Sequence, residues 1–147
     1  MKSILALILA CGALAIGRAA EKPNILFIAV DDLNDWIGSL GGHPQTKTPN
    51  IDALAARGVN FTRAYCASPV CNPSRSALMT GLRSSSSGVY GNDVNRANTP
   101  CNDVVALNSW LHDHGYLTLG SGKIYHGDSD QWGKWDHYDK NTGKELP

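Results

Sequence analysis

The run Ile25-Leu26-Phe27-Ile28-Ala29-Val30 constrains the fold more than any other part of the chain, because it is apolar without interruption. A strand with one wet face alternates apolar and polar residues. A continuous run instead suits a strand covered on both faces, as in the parallel sheet of an α/β domain. The run stops at Asp31-Asp32. Open α/β sheets place their ligands at the carboxyl ends of strands, and adjacent carboxylates repel one another unless a cation shares them. Two readings follow for this pair: a site for a hard, oxygen-seeking cation such as Ca²⁺ or Mg²⁺, or one carboxylate capping the next turn while the other is solvated.

The remaining chain supplies the other elements of such a domain. Between Leu33 and Lys47, Gly38, Gly41, Gly42 and Pro44 predict a loop without regular structure. Thr48-Pro49 opens a short helix, with Thr48 as cap, Pro49 in the first turn, Asp52 near the positive end and Gly58 as the stop. Ile51, Leu54 and Ala55 share one of its faces. Val59 to Tyr65 alternates with period two and reads as a strand or extended connection. A second helix begins at Cys71, followed by a polar loop from Arg83 to Gly88 and an irregular stretch from Gly91 to Thr99. A third spans Asp103 to His114, capped by Asn102 or Asp103 and ended by Gly115. Tyr116 to Leu119 reads as a strand that delivers Gly120 through His126. The tail from Gly127, with Trp132, Trp135 and Tyr138 among charges, reads as a surface loop. Strand and helix repeat in order, so the expected fold class is α/β, a largely parallel sheet flanked by helices.

At 147 residues the chain suggests a single domain. Its 13 basic residues balance 13 acidic ones, which argues against a nucleic-acid surface or a polybasic membrane patch. Residues 1–20 have the form of a secretory signal peptide: Lys2, an apolar run from Ile4 to Ile16, then Gly17 and Ala19 as a small-x-small cleavage site. The run is too short for the roughly 20 residues that span a bilayer, so no stable membrane anchor is expected. Residues 21–147 would then be exported, to a periplasmic or secreted location. Cys66, Cys71 and Cys101 remain, an odd number where thiols tend to pair.

Cys71 is the exceptional one. Asn72 can cap the helix that follows, Pro73 suits its first turn, and Arg75 lies one turn in. The helix start therefore combines backbone N–H donors, a positive dipole end and a guanidinium, a setting that binds anions and acidifies a thiol. Spacing excludes two familiar sites. A cysteine phosphatase loop needs arginine at Ala77, and a phosphate-binding Walker loop needs glycine at Leu117 and Ser or Thr at Ile124. What remains is an acidic pair at Asp31-Asp32, Cys71 with Arg75, and Lys123 with His126 after a glycine-rich turn. If the sheet gathers these segments, they suit hydrolysis of an anionic ester. If it does not, they are unrelated structural residues.

Cys71-Asn72-Pro73-Ser74-Arg75 followed by Thr80-Gly81 resembles the signature of type I sulfatases. The resemblance extends from Pro23-Asn24-Ile25-Leu26 with Asp31-Asp32, through Thr48-Pro49-Asn50-Ile51-Asp52 with Leu54, Ala55 and Gly58, to Gly122-Lys123 with His126. It implies an alkaline-phosphatase-like fold and oxidation of Cys71 to formylglycine by a modifying enzyme, the hydrated aldehyde then attacking sulfur. It further implies that Arg75 steadies the hydrate and that Lys123 and His126 bind sulfate oxygens or assist the leaving group. Asp31, Asp32 and residue 71 would supply part of a Ca²⁺ site, with Mg²⁺ as the alternative. The Lys-x-x-His spacing is more similar to the iduronate-2-sulfatase branch than to arylsulfatases, which place one residue between the two.

The same resemblance leaves Cys66 and Cys101 as a candidate disulfide. It implies a sulfate ester substrate, sulfated glycans among the candidates. Sulfatases run to several hundred residues, so residues 21–147 are expected to be the N-terminal part of the catalytic domain, truncated and inactive alone. Two other functions compete: a phosphodiesterase or phosphonate hydrolase of the same superfamily, and a non-catalytic fragment that binds glycans or partners through Trp132, Trp135 and Tyr138.

Overall fold

The computed structural model describes residues 22–127 and 132–139. The expected signal peptide, residues 1–20, lies outside them. Among the described residues no helix is long and apolar enough to cross a membrane. The chain divides into two compact units, residues 1–60 and 61–147.

In the first unit, residues 25–30 form no helix and pair with no strand among the described residues. Leu26 is 85% exposed and Ile28 69%. The expectation of a strand buried on both faces is therefore corrected. Burial requires a packed layer on each face, and the unit's described elements are one helix and one 3₁₀ turn.

That helix, α1 (Pro49–Arg57), has Pro49 at its start, Asp52 in its first turn and Gly58 at its end, as the sequence predicts. Thr48 occupies the N-cap position, but its side chain makes no cap hydrogen bond. Its Oγ1 accepts the Gly38 N–H at 2.9 Å and donates to Asp52 Oδ1 at 3.0 Å. The Ser39 N–H also donates to Asp52 Oδ1, at 2.9 Å. These bonds fasten α1 to the 3₁₀ turn Gly38–Leu40, a regular element where only loop was expected. A Cβ at Gly38 would lie 2.4 Å from Asp52 Oδ2, so a larger residue there would displace the carboxylate that holds the turn.

The second unit holds α2 (Cys71–Thr80), α3 (Ser84–Ser87), α4 (Leu107–Asp113), β1 (Leu119–Ser121) and β2 (His137–Asp139). Residues 59–65 form no strand, and Phe61 and Tyr65 are exposed. α2 ends at Gly81, whose φ of 74° lets its N–H reach Ala77 O at 2.8 Å. The core gathers Ala77, Met79, Val89, Cys101, Ala106 and Tyr125, with Pro73 and Ser76 fully enclosed.

The helix expected over Asp103–His114 divides into a 3₁₀ turn, Pro100–Asp103, and α4. Thr99 Oγ1 accepts the Cys101 N–H and starts the 3₁₀ turn. The β-branched pair Val104-Val105 then favours extended backbone, and Val104 has φ −91° and ψ 132°.

β1 pairs in parallel with β2, Leu119 opposite His137 and Ser121 opposite Asp139. The parallel sense is as expected for an α/β chain, though only these two strands occur among the described residues. β1 begins later than Tyr116 because the preceding residues have other partners. The Tyr116 N–H bonds Leu111 O, and Thr118 donates to Asp136 Oδ2 from its N–H at 2.7 Å and its hydroxyl at 3.0 Å. The described part of the tail, residues 132–139, is likewise no loose surface loop. It supplies β2 and sets Trp132, Trp135 and Tyr138 half-buried against the unit.

Candidate functional site

Cys71 is the first residue of α2, with Val70 at the cap position and no side-chain cap of the usual kind. The free N–H groups expected at this helix start are largely spent. The Asn72 N–H donates to Asn92 Oδ1 at 2.9 Å, Pro73 has none, and the Ser74 N–H bonds Val70 O at 3.1 Å. An anion at this helix start would therefore meet side chains more than free backbone amides.

Asn72 is not the cap the sequence suggested. It is buried, and its Nδ2 donates to Gly91 O at 3.0 Å and Val94 O at 2.9 Å, while Oδ1 accepts a 3.4 Å bond from Ser76 Oγ. The start of α2 is thereby pinned to the 91–94 loop. Cys71, half-buried, remains at the surface of this fixed frame.

The loop after β1 brings the second set of groups. Lys123 Nζ lies 3.6 Å from Cys71 Sγ, close enough for a weak N–H···S bond. Arg75 acts on the same loop through its backbone. Its Nη1 donates to Lys123 O and, at 3.4 Å, to Ile124 O. Tyr138 OH donates to Gly122 O, and Gly122 adopts φ 74°, so the turn into Lys123 is held from β2 as well. His126 follows on this loop, half-buried. The structure thus unites Cys71, Arg75 and Lys123 directly, with His126 on the Lys123 loop, although the two segments lie about 50 positions apart in sequence.

Beneath the loop, Tyr125 is 1% exposed and donates from its OH to Asn108 Oδ1 at 3.2 Å. Burial pushes the Tyr125 hydroxyl well above the ordinary tyrosine range, so it stays protonated and remains a donor. Neither Tyr125 nor Asn108 stands out in sequence. One adjoins an apolar Ile, the other opens a helix, and the sole hint is the position of Tyr125 between Lys123 and His126.

Asp31 and Asp32 belong to the first unit and are both exposed. Asp32 has φ 54°, and its carbonyl accepts a 3.3 Å bond from Asn34 Nδ2, a turn that suits Asp and Asn. A hard cation takes six to eight oxygens. The pair has the right donor chemistry, but no group of three or more His, Cys, Asp or Glu gathers among the described residues. The described donors are too few to hold a cation, and no chemical step is routed through one below.

The candidate Cys66–Cys101 disulfide is not formed. Cys66 is exposed, Cys101 is buried, and both are free, as is Cys71. Burial pushes the Cys101 thiol up, which keeps it protonated and inert in the core.

Comparison with known proteins adds the family. The sulfatase family model matches residues 23–145. The chain belongs to the sulfatase family. A sulfatase from Formosa agariphila is 46% identical over 116 residues, 76% of this chain and 23% of the relative. Arylsulfatase A from Bos taurus is 45% identical over 121 residues, covering 78% of this chain and 23% of that protein. The uncharacterized sulfatase YidJ from Escherichia coli is 35% identical over 123 residues, covering 79% and 24%. This sulfatase chain spans about a quarter of the length of these curated relatives. Family membership implies the alkaline-phosphatase-like α/β fold, of which the helices and the small parallel sheet described here are a part.

Proposed function

We propose that this chain is the N-terminal part of a sulfuric ester hydrolase in which Cys71 is oxidised to formylglycine. The observation that carries the reading is the 3.6 Å approach of Lys123 Nζ to Cys71 Sγ at the start of α2. Cys71 Sγ marks where the oxygen-bearing group would stand after oxidation, and that group would supply a hydrated aldehyde whose hydroxyl attacks sulfur.

The residues of the chain then divide the work. Lys123 presents an ammonium beside residue 71, where it neutralises the charge of a sulfate oxygen and lowers the barrier to attack by an oxygen nucleophile. Arg75 holds the Lys123 and Ile124 carbonyls, fixing that ammonium while keeping its own positive charge one turn into α2. His126 is assigned to sulfate binding or to the leaving group. Asp31 and Asp32 are assigned as contributors to a Ca²⁺ site, with Mg²⁺ as the alternative, whose remaining oxygens come from beyond the described residues.

The two residues between Lys123 and His126 support kinship with the iduronate-2-sulfatase branch. That assignment rests on spacing alone, since the relatives above include an arylsulfatase by name. The substrate is proposed to be a sulfate ester, with sulfated glycans as a class to test. Export, to periplasm or medium, follows from the proposed signal peptide at residues 1–20. A non-catalytic role for Trp132, Trp135 and Tyr138 as a glycan platform is disfavoured, because these side chains pack within the second unit.

Co-expression of the chain with a formylglycine-generating enzyme, followed by mass spectrometry of the peptide spanning Cys71, tests the proposal. The expected product is the aldehyde. A thiol left unmodified beside an active modifying enzyme would sink it. Modified residues 21–147 alone are expected to release no sulfate. Modified protein as the native host makes it is expected to hydrolyse an aryl sulfate faster than an aryl phosphodiester, and the reverse order would reassign it to phosphorus chemistry.

A further inference from the structure

Arg96 is an arginine in a place where packing alone would not put one. It is 8% exposed, and its Nε is buried without a hydrogen-bond partner. No ion pair joins it to a carboxylate among the described residues. Burial holds the guanidinium below the ordinary arginine range. A buried charge is costly unless something compensates it, and methionine or leucine would fill the same volume without that cost.

The compensation is aromatic. The guanidinium carbon lies 3.6 Å from the centroid of the Trp132 ring and 5.1 Å from that of Tyr125. A desolvated cation over aromatic faces gains about 2 kcal/mol or more. The two rings also meet edge to face, centroids 5.3 Å apart at 72°. Asn108 closes the circuit: its Oδ1 takes the Tyr125 hydroxyl, and its Nδ2 donates to Trp132 O at 3.0 Å and Lys134 O at 3.3 Å. Tyr125 is therefore held by a cation on its face, a ring at its side and an amide at its tip.

Tyr125 stands two residues after Lys123 and one before His126. Fixing its side chain in the core fixes the backbone from which both groups project. We propose that Arg96, acting through Trp132 and Tyr125, is a positioning residue that sets the approach of Lys123 to residue 71. This inference rests on the functional reading above, but it concerns geometry that exists before any substrate binds.

Its test uses ortho-phthalaldehyde on the full chain with Cys71 left as the thiol. The dialdehyde condenses with a lysine amine and a cysteine thiol that lie within bonding distance. Two C–N bonds and one C–S bond form, two waters leave, and the isoindole product fluoresces. Peptide mapping identifies the Cys71–Lys123 link, and Lys123→Ala supplies the blank.

Arg96→Met keeps the stem and removes the cation. It is expected to slow formation of this link about tenfold, in line with the sensitivity of proximity reactions to ångström displacements. Arg96→Lys keeps a charge without the stacking plane and should restore part of the rate. All rates are compared well below each variant's melting temperature. A residue that merely stabilises the fold would lower that temperature and leave the rate alone, and such a result overturns the proposal. Should Arg96→Met fail to fold, Tyr125→Phe decides, because it removes only the bond to Asn108: a slower link supports the clamp and an unchanged rate overturns it. Absence of the link in the unsubstituted chain instead refutes the Cys71–Lys123 geometry on which the functional reading stands.

Discussion

Replacing Asn72 by alanine probes the frame of the site without touching Cys71, Pro73 or Arg75. The side chain is buried and donates two bonds of good length, 3.0 Å to Gly91 O and 2.9 Å to Val94 O. Each such bond is worth about 0.5–1.5 kcal/mol net, so their loss should cost about 1–3 kcal/mol. The orphaned carbonyls belong to half-buried residues that water can reach, so the full penalty of a dry unpaired acceptor does not apply. For a folded unit of this size the cost corresponds to a fall of about 5–20 °C in melting temperature.

Asn72→Asp keeps the shape but turns a donor into an anion facing two carbonyl oxygens, and it should cost more than alanine. Thermal unfolding of the full chain, followed by near-ultraviolet circular dichroism, measures both. The reasoning is refuted if alanine costs less than about 0.5 kcal/mol, the range of an ordinary surface substitution, or if aspartate is as stable as asparagine.

Two further outcomes follow from the second unit. Gly120→Ala should destabilise it by about 1–3 kcal/mol, because the new Cβ would lie 2.6 Å from the Tyr138 ring and 2.9 Å from Trp135; a melt unchanged from the parent would show that β2 does not pack as described. The Asp136 carboxyl is held below its usual range chiefly by the Thr118 N–H, and that of Asp113 by the Lys134 ammonium. Depressed values mean stability that is present above the unfolded pKa and lost as pH falls through the folded one, hence below about pH 4. Melting temperatures from pH 7 down to pH 2 should therefore drop less steeply for Asp136→Asn than for the parent, and superimposable profiles would contradict the assignment.

What could be read in advance was local. Pro49, Asp52 and Gly58 mark α1 because first-turn proline, early acid and terminal glycine act within a few residues of one another. The errors came where a distant partner decided the outcome. Asn72 looked like a cap because Asn at a helix start usually is one, yet its Nδ2 is taken by Gly91 O and Val94 O, its Oδ1 by Ser76 Oγ, and the Ser74 N–H it would have served bonds Val70 O. Ile25 to Val30 looked buried because a continuous apolar run needs two covers, and periodicity does not reveal whether neighbours are present.

The site divides in the same way. Cys71, Arg75, Lys123 and His126 could be picked out as candidates because their residue types and spacings are specific, and the fold does bring Cys71, Arg75 and Lys123 together. Their supports could not be, since Arg96, Asn108 and Tyr125 are ordinary residues made significant by contacts across the fold. Trp132, Trp135 and Tyr138 illustrate the converse. Aromatics scattered among charges suggested a surface platform, whereas Trp132 lies under the Arg96 guanidinium and Tyr138 bonds Gly122.

The exposed run from Ile25 to Val30 has a practical consequence for handling the protein. It is uncharged, lacks proline and glycine, and is exposed, which are the attributes of a segment that stacks into cross-β assemblies. The chain carries a formal net charge of zero at pH 7, so little long-range repulsion keeps copies apart. Six exposed apolar residues can thus govern the concentration at which the whole polypeptide stays dispersed. A single lysine placed among them would act as a gatekeeper against self-association.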